Sequence, residues 1–382
     1  MSVSDAVTAR GMSQRIERAI PAIQQNWLEQ NALLALAKAR GKIKYQGSHT
    51  EFEWYIRRTT GNAAEWGGGE LGIRTFEEIN PVDRAHLPYC WLEKTYGVSD
   101  RSIETNRHAG GRQKVYDVLK ENLVIAQQLA YSALVPTIYS GGNDGDGDAS
   151  GEPTGLMWAF GNAYQSTHDV AISAGASYAN QTLNTSAIAA YSASKAGFDS
   201  VHWAPIAINL QEIPGTTDGS AAWSTDALIA LSFMADEMAV TQDVSGTGKP
   251  IKPDIALMRP TEFNAVKNLL LASQILGGVP LGDVSPVMAK FKNVVVDTLT
   301  VIRDTNVPLD STHASGAGIP RVIVMDSSEF YIKTTHTKAE GLIKNEFDTN
   351  NPLVSGAIGV LKANLGYCLS SPAAIGVIVG AD

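Results

Sequence analysis

Tyr191 and Lys195 have the residue types and the spacing that proton-transfer chemistry requires, within the run YSASKAG at Tyr191–Gly197. The ammonium group of a lysine close to a tyrosine lowers the pKa of the phenol, because the positive charge favours the phenolate. A phenol activated in this way can exchange a proton with a substrate carbonyl while a nicotinamide cofactor transfers hydride. These two residues are the best candidates for catalysis in the sequence.

The run resembles the tyrosine–lysine signature of short-chain dehydrogenases, but its supporting residues do not match. That chemistry needs a glycine-rich turn after an N-terminal strand, which holds the dinucleotide. The upstream glycine cluster, Gly67–Gly72, follows a polar stretch and does not open a helix. The serine that accompanies the tyrosine would fall at position 178, where Tyr178 stands, and Ser177 is one residue off. An oxidoreductase is therefore an alternative that the sequence does not favour.

Two further patterns resemble ligand-binding loops, and each lacks a required residue. The run Ser245–Pro250 ends like a phosphate-binding loop, but Pro250 stands where a hydroxyl group must ligate magnesium. The aspartates of Asp144–Asp148 occupy the first ligand positions of a calcium loop, but Ala149 replaces its central glycine. Calcium binding there stays open beside the simpler interpretation of a solvated loop. No catalytic residue, no cofactor site and no metal site is predicted.

The composition argues against several classes of protein. Charged residues make up 18% of the 382 positions, and this low share fits a subunit that buries much of its surface in partners. A formal net charge of -9 argues against a general nucleic-acid binder. Cys90 and Cys368 lie far apart in the sequence, so neither a zinc site nor a disulfide framework is predicted. Without a signal peptide or a long apolar run, we expect a protein made in the cytoplasm.

A loose arm followed by a helix is predicted for residues 1–42. Pro21 suits the first turn of this helix, because proline is tolerated where the backbone N–H has no partner. Leu33 and Leu34 continue an apolar stripe at helical spacing, and Gly41 supplies a stop.

A two-stranded ribbon with a glycine-rich tip is predicted after the helix. Phe52, Trp54 and Ile56 alternate with polar residues, which is typical of a strand with one apolar face. The chain at 73–96 is again mostly extended. An isolated ribbon is only marginally stable in water, so we expect it to lie on neighbouring subunits.

A long helix should follow the ribbon. Ser99 is a plausible N-cap, and a break is expected at Gly110–Gly111. Arg112–Val135 contains neither glycine nor proline, and Pro136 is expected to end the helix. At about 1.5 Å per residue, this helix would be about 36 Å long.

The second half of the chain alternates between helical and extended patterns. A loop at 140–155 is the best candidate boundary, and the stretch 150–250 shows little periodicity. The predicted elements are a helix at Ser224–Met238, a strand at Ile255–Met258, a helix at Thr261–Leu276, and extended runs at Val294–Arg303, Arg321–Asp326, Ala357–Leu361 and Ala374–Val379.

The order of these elements resembles the Hong Kong 97 type fold of tailed-bacteriophage major capsid proteins, which encapsulin compartments share. The resemblance covers most of the chain except about 150–250. The similar stretches are Tyr96–Ser99, Pro253–Leu270, Val294–Pro308, Arg321–Lys333 and Gly366–Val379.

The resemblance implies an α+β fold with a fixed arrangement of parts. The implied parts are an N-terminal arm and helix at 1–42, an extended loop at 43–90, a peripheral domain with a spine helix at 91–140, an axial domain at 141–330 with an insertion near 150–250, a return through the peripheral domain at 331–364, and a closing strand at 365–382.

The resemblance also implies a function: self-assembly into an icosahedral phage head that encloses double-stranded DNA without sequence-specific binding. The chain would form pentamers and hexamers in the virion capsid, after assembly in the host cytoplasm, with no membrane. Since the sequence shows no long N-terminal scaffold, a separate scaffolding protein is expected, with a portal and in some heads a decoration protein. An encapsulin-like shell is the alternative.

Four residues of the extended loop are candidates for contacts between subunits, because tryptophan and arginine are favoured interface anchors. They are Trp54, Arg57, Arg58 and Trp66. A position of Trp54 on the buried face of its own loop is an equal alternative.

Overall fold

The structure is a computed structural model, and it describes residues 31–45, 51–57, 82–140, 152–160, 177–179, 181–182, 205–210, 213, 215, 222–240, 251–272, 293–307, 320–338, 341–348 and 356–379. Some predictions lie outside these residues. They concern Pro21, the ribbon tip with Arg58 and Trp66, Asp144–Asp148, Tyr191–Gly197 and Ser245–Pro250.

The described chain contains both helices and strands. The helices are α1 (Ala32–Ala39), α2 (Asp100–Ser140), α3 (Trp223–Val240) and α4 (Pro260–Ala272). The strands are β1 (Ile43–Tyr45), β2 (Glu51–Arg57), β3 (Val82–Pro88), β4 (Cys90–Ser99), β5 (Ser177–Tyr178), β6 (Gln181–Thr182), β7 (Ile206–Asn209), β8 (Ile255–Met258), β9 (Asn293–Val296), β10 (Leu299–Arg303), β11 (Pro320–Met325), β12 (Phe330–Thr334), β13 (Lys344–Asp348), β14 (Gly356–Leu369) and β15 (Ile375–Val379). The predicted mixture of helices and sheets is confirmed.

The first helix ends as the sequence predicted, at a glycine. Gly41 has a φ of 66°, which glycine adopts without strain. Its N–H donates to the carbonyl of Lys38 at 3.1 Å, and the N–H of Lys42 donates to Ala37 at 2.7 Å. These two bonds form a Schellman motif, which satisfies carbonyls that the helix end leaves open. The chain is thereby turned directly into β1.

A five-stranded sheet is organised around β14. This long strand pairs antiparallel with β4 on one side, and with β13 and then β12 on the other. β1 adds to β12 in parallel, with Ile43 opposite Ile332. Because side chains alternate along a strand, Leu365 and Tyr367 face one side of the sheet and Gly366 faces the other. Helix α2 covers the Tyr367 side, where the phenol donates to the carbonyl of Leu134 at 3.2 Å.

A six-stranded sheet has the order β7-β15-β11-β8-β10-β9. Its central strand β8 is buried at every position, as expected of a strand covered on both faces. One face packs against α3 and α4, and the other continues into the core of the five-stranded sheet. The predicted run Val294–Arg303 is two strands instead of one, because Asp297 turns with a φ of 55° between β9 and β10.

Two chain segments join the sheets, since β11 continues into β12 and β14 into β15. They are held side by side: the N–H of Asp326 donates to Ala374 at 2.9 Å, and that of Ser370 donates to Glu329 at 3.0 Å. The predicted domain boundaries stay a prediction. One of them falls at residue 364, which lies inside the continuous strand β14.

The long helix differs from its prediction at Gly110–Gly111 and at Pro136. α2 is continuous from Asp100 to Ser140, so the break expected at Gly110–Gly111 and the end expected at Pro136 are both wrong. Its 41 residues extend over about 62 Å. Proline removes one hydrogen bond of the helix, but Ile138 and Tyr139 beyond it are fully buried and hold the last turn. Packing in the core has outweighed local preference.

No helix among the described residues is both long enough and apolar enough to cross a membrane.

Gln127 is a polar residue at a position that favours an apolar one. It is fully buried in α2, and neither atom of its amide has a hydrogen-bond partner in the described part of the chain. A buried polar group without a partner costs about 1–3 kcal/mol. We therefore predict that Gln127→Met, which preserves the volume, raises the free energy of unfolding of the unassembled subunit by about 1 kcal/mol.

Chemical denaturation measures this change through the midpoint of the unfolding curve. The neighbouring Gln128 is exposed, so Gln128→Met is the matched control and should leave the midpoint nearly unchanged. A lower midpoint for Gln127→Met than for the parent protein would show that the amide has stabilising partners.

Candidate functional site at the ribbon base

The predicted two-stranded ribbon is confirmed. β2 and β3 pair antiparallel, from Glu51 opposite Pro88 to Arg57 opposite Val82. Phe52 is fully buried, whereas Glu51, Glu53 and Tyr55 are exposed. The strand thus has the apolar face that its alternating sequence predicted.

The base of the ribbon rests on its own subunit, and the support of the ribbon by neighbouring subunits stays a prediction. The ring of Phe52 packs on the backbone of Gly366 in β14 and meets Tyr89 edge-on, with ring centroids 3.9 Å apart. Ala85 and Leu87 of β3 are buried in the same core. The apolar face of the described base is therefore covered within one chain.

Trp54 lies beside this contact and is held by its own chain. Its indole Nε1–H donates to the carbonyl of Ser370 at 3.1 Å. The Nζ of Lys333 lies 5.3 Å from the centroid of the Trp54 ring, within the range of a cation–π interaction. The side chain is half-buried, which agrees with the interpretation of Trp54 as a residue on the buried face of the loop. Its role between subunits stays a prediction, as do those of Arg57, Arg58 and Trp66.

A cleft of about 520 Å³ opens next to Trp54, between the ribbon and the five-stranded sheet. Its lining combines lysines, aromatic rings and a few polar groups. The lining residues are Lys42, Lys44, Tyr45, Trp54, Tyr55, Ser328, Glu329, Tyr331, Lys333 and Ser370. We call it the ribbon-base cleft.

Lys333 is the least exposed of the three lysines, with 5% of its surface accessible. Its Nζ donates to the carbonyl of Glu53 at 2.7 Å and also lies 5.9 Å from the centroid of the Tyr331 ring. Burial lowers the pKa of its ammonium group, because removal from water disfavours the charged form. The protein thus keeps a cation at a position where charge is costly.

The junction between the two sheets lies at one end of the cleft. Asp254 accepts hydrogen bonds from the N–H of Ser327 at 2.8 Å and from its hydroxyl at 2.6 Å. The guanidinium group of Arg40 forms an ion pair with Asp254 at 2.6 Å. Lys42 donates to the carbonyl of Ser328. The segment after α1 is therefore fastened to the turn that links the sheets.

Position 178, where the dehydrogenase interpretation would need a serine, holds a core tyrosine. Tyr178 is buried, and its hydroxyl accepts a hydrogen bond from the N–H of Leu369 at 3.0 Å. Burial raises the pKa of this phenol well above its ordinary value. The residue stabilises the core and does not favour that chemistry.

The two cysteines are both buried, and neither forms a disulfide bond. Burial raises the pKa of the Cys368 thiol to about 12, so the thiol stays protonated near neutral pH. Among the described residues, no cluster of histidine, cysteine, aspartate or glutamate could hold a metal ion.

Sequence reasoning identified Trp54 but missed Lys42, Lys44 and Lys333. These lysines carry no pattern that separates them from ordinary surface lysines. Lys333 stands in the alternating strand FYIKT, and this alternation does not reveal that the ribbon covers its side chain.

No family model matches the sequence, and no curated protein matches it significantly. Solved structures do match. A chain of the cyanophage A-1(L) capsid is similar with a TM-score of 0.53 at 14% sequence identity, over 90% of this chain and 91% of that chain. A chain of the capsid of a native GTA particle is similar with a TM-score of 0.51 at 14% identity, over 91% of each chain.

The chain has a phage capsid fold. The Hong Kong 97 type architecture expected from the order of elements is thereby confirmed as a fold. The match extends over nearly the whole of both chains.

The contact between Phe52 and Gly366 can be tested by adding one methyl group. A Cβ at position 366 would lie 2.6 Å from the Phe52 ring, which is closer than packed atoms approach. We predict that Gly366→Ala destabilises the subunit by about 1–3 kcal/mol and loosens the ribbon base. Hydrogen exchange measures the second effect, as faster exchange of the amides of β2 and β3.

Gly359→Ala is the matched control on the same strand, since its Cβ would meet the ring of Tyr96 and not the ribbon. It should lower stability and leave exchange in β2 and β3 slow. Equal rates of amide exchange in β2 and β3 for the two variants would mean that Phe52 does not hold the ribbon.

Proposed function

We propose that the protein is the shell-forming subunit of a tailed-phage head, a structural protein and not an enzyme. One observation carries this proposal: the capsid fold extends over about nine-tenths of the chain. Copies would meet in rings around five-fold and six-fold centres, where identical contacts close by rotation. Each contact can be weak, because many contacts act together in one shell.

The proposed shell encloses double-stranded DNA without reading its sequence. The net charge of -9 supports enclosure over tight binding, because a protein that grips DNA needs a surplus of basic residues. We place the protein in the virion, with assembly in the host cytoplasm. A scaffolding protein, a portal and a decoration protein are the further partners that the resemblance implies.

Self-assembly is the property to measure. We predict that the purified chain, alone or with a scaffolding protein, sediments as large particles or rings that negative-stain images show as closed and symmetric. A monodisperse monomer under every assembly condition would contradict the proposal. Particles that form without other phage proteins, contain no DNA and co-purify with an enzyme would indicate an encapsulin-like compartment instead.

Arg57, Arg58 and Trp66 are proposed as contacts between subunits. We predict that alanine at each of these positions raises the concentration needed for assembly by about tenfold, as expected for the loss of an interface anchor. Light scattering gives this concentration, and circular dichroism checks that the subunit remains folded. Trp54 is not suitable for this test, because it also bonds to Ser370 within its own chain.

Arg101 provides the control for these variants. It is an exposed arginine in the first turn of α2, and Arg101→Ala should leave the assembly concentration unchanged. If all four variants assemble like the parent protein, the loop residues do not anchor neighbouring subunits.

A further inference from the structure

The ribbon-base cleft brings three lysines together, and no ion pair joins them to a carboxylate of the described residues. Lys42 and Lys333 donate to the backbone carbonyls of Ser328 and Glu53, and Lys44 is exposed at the rim. In the described part of the chain, none of these three ammonium groups forms an ion pair with a carboxylate. Carbonyl groups and aromatic faces therefore solvate charges that a carboxylate would bind more strongly.

The acidic groups close to the cleft are already engaged. The carboxylate of Glu329 accepts a hydrogen bond from the hydroxyl of Ser370. The carboxylate of Glu53 lies 4.0 Å from the guanidinium group of Arg84. Because Lys42, Lys44 and Lys333 outnumber Glu329 in the lining, the cleft carries net positive charge on a chain whose total is -9.

One stretch of the sequence has the complementary charge. Between positions 121 and 194 there is neither lysine nor arginine, and the acids are Glu121, Asp144, Asp146, Asp148, Glu152 and Asp169. Four of these six fall within 144–152, which makes this segment the densest source of carboxylates without a competing base. Its charge is what a cleft lined by lysines attracts.

The described residues that flank this segment lie on the other side of the five-stranded sheet from the cleft. Before it, α2 ends on the Tyr367 face, where Thr137 lies 3.4 Å from the Tyr367 hydroxyl. After it, the carbonyl of Glu152 accepts a bond from the thiol of Cys90, which pairs with Leu365 on that same face. Lys333 pairs with Gly366, whose Cβ position points to the ribbon on the opposite face.

Because the described chain before and after the segment lies on one face of the sheet, a second copy is the more direct source of these carboxylates for a cleft on the other face. We propose that the ribbon-base cleft binds carboxylates of residues 144–152 from a neighbouring copy of this chain. This inference rests on the proposed function, since it requires copies held side by side in a shell. The contact would neutralise Lys42, Lys44 and Lys333 on assembly and would weaken as salt concentration rises.

Zero-length coupling tests the contact directly, because a carbodiimide joins an amine to a carboxylate only when the two touch. Particles are assembled from equal amounts of unlabelled and ¹⁵N-labelled protein, treated with the reagent and digested with chymotrypsin. We expect crosslinked peptides that join Lys42 or Lys44 to the segment 144–152. Pairs of one labelled and one unlabelled peptide (mixed labels) should be as frequent as pairs with the same label (matched labels).

Three results would contradict the proposed contact without contradicting the proposed shell. They are particles that give no such link, links from these lysines to other acids, and links with matched labels only. A chain that forms no particles overturns the proposed function, and the contact with it. Electron microscopy of the same sample distinguishes the two failures.

Charge reversal provides a second test of the contact. Lys44→Glu should lower the yield of particles by about tenfold, because like charges would then meet in the cleft. Adding Asp146→Lys to this variant should restore the yield. Lys267 is exposed on α4, away from the cleft, and Lys267→Glu is the matched control with an unchanged yield. If the double variant remains as defective as Lys44→Glu alone, the proposed pairing is wrong.

Discussion

The ring of Phe52 lies against the backbone of Gly366, and the rest of the ribbon base depends on this contact. A ribbon of two strands cannot bury its own apolar face, so its position is set by what that face meets. Gly366 has no side chain, and the ring therefore approaches the strand closely enough to be fully buried. The positions of Trp54 and Lys333 then follow, since Trp54 lies two residues from Phe52 on the same strand and Lys333 is paired with Gly366. The position of the ribbon base is therefore determined by its own chain.

The same place joins the parts of the molecule that a shell must coordinate. Two continuous segments carry the chain from one sheet to the other, and Arg40 and Lys42 fasten the segment after α1 to the first of them. Trp54 fastens the ribbon to the second of these segments by its hydrogen bond to the carbonyl of Ser370. A displacement of the ribbon by a neighbouring copy would therefore act on the junction between the sheets. In the proposed shell, this arrangement would link contacts between subunits to the geometry inside each one.

Local sequence patterns predicted the elements whose side chains alternate or recur on one face, such as β2 and α3. They failed where distant contacts decide the outcome. Gly110–Gly111 and Pro136 favour a break and an end, but α2 runs through both. At Pro136 the helix continues because the turn beyond it is buried in the core. The cleft was not predictable for the same reason: the burial of Lys333 depends on a ribbon that is nearly 280 residues away in the sequence. The order of the elements was informative where single motifs such as Tyr191–Gly197 were not, because a fold constrains order more strongly than it constrains short runs.

A cryo-electron microscopy reconstruction of particles assembled from this chain is the most direct test of the proposed shell. We expect a closed shell with five-fold and six-fold rings, in which each subunit shows the two sheets, the long α2 and the ribbon base resting on its own β14. Open filaments, or a shell whose subunit has a different fold or a ribbon base supported by its neighbour, would contradict it.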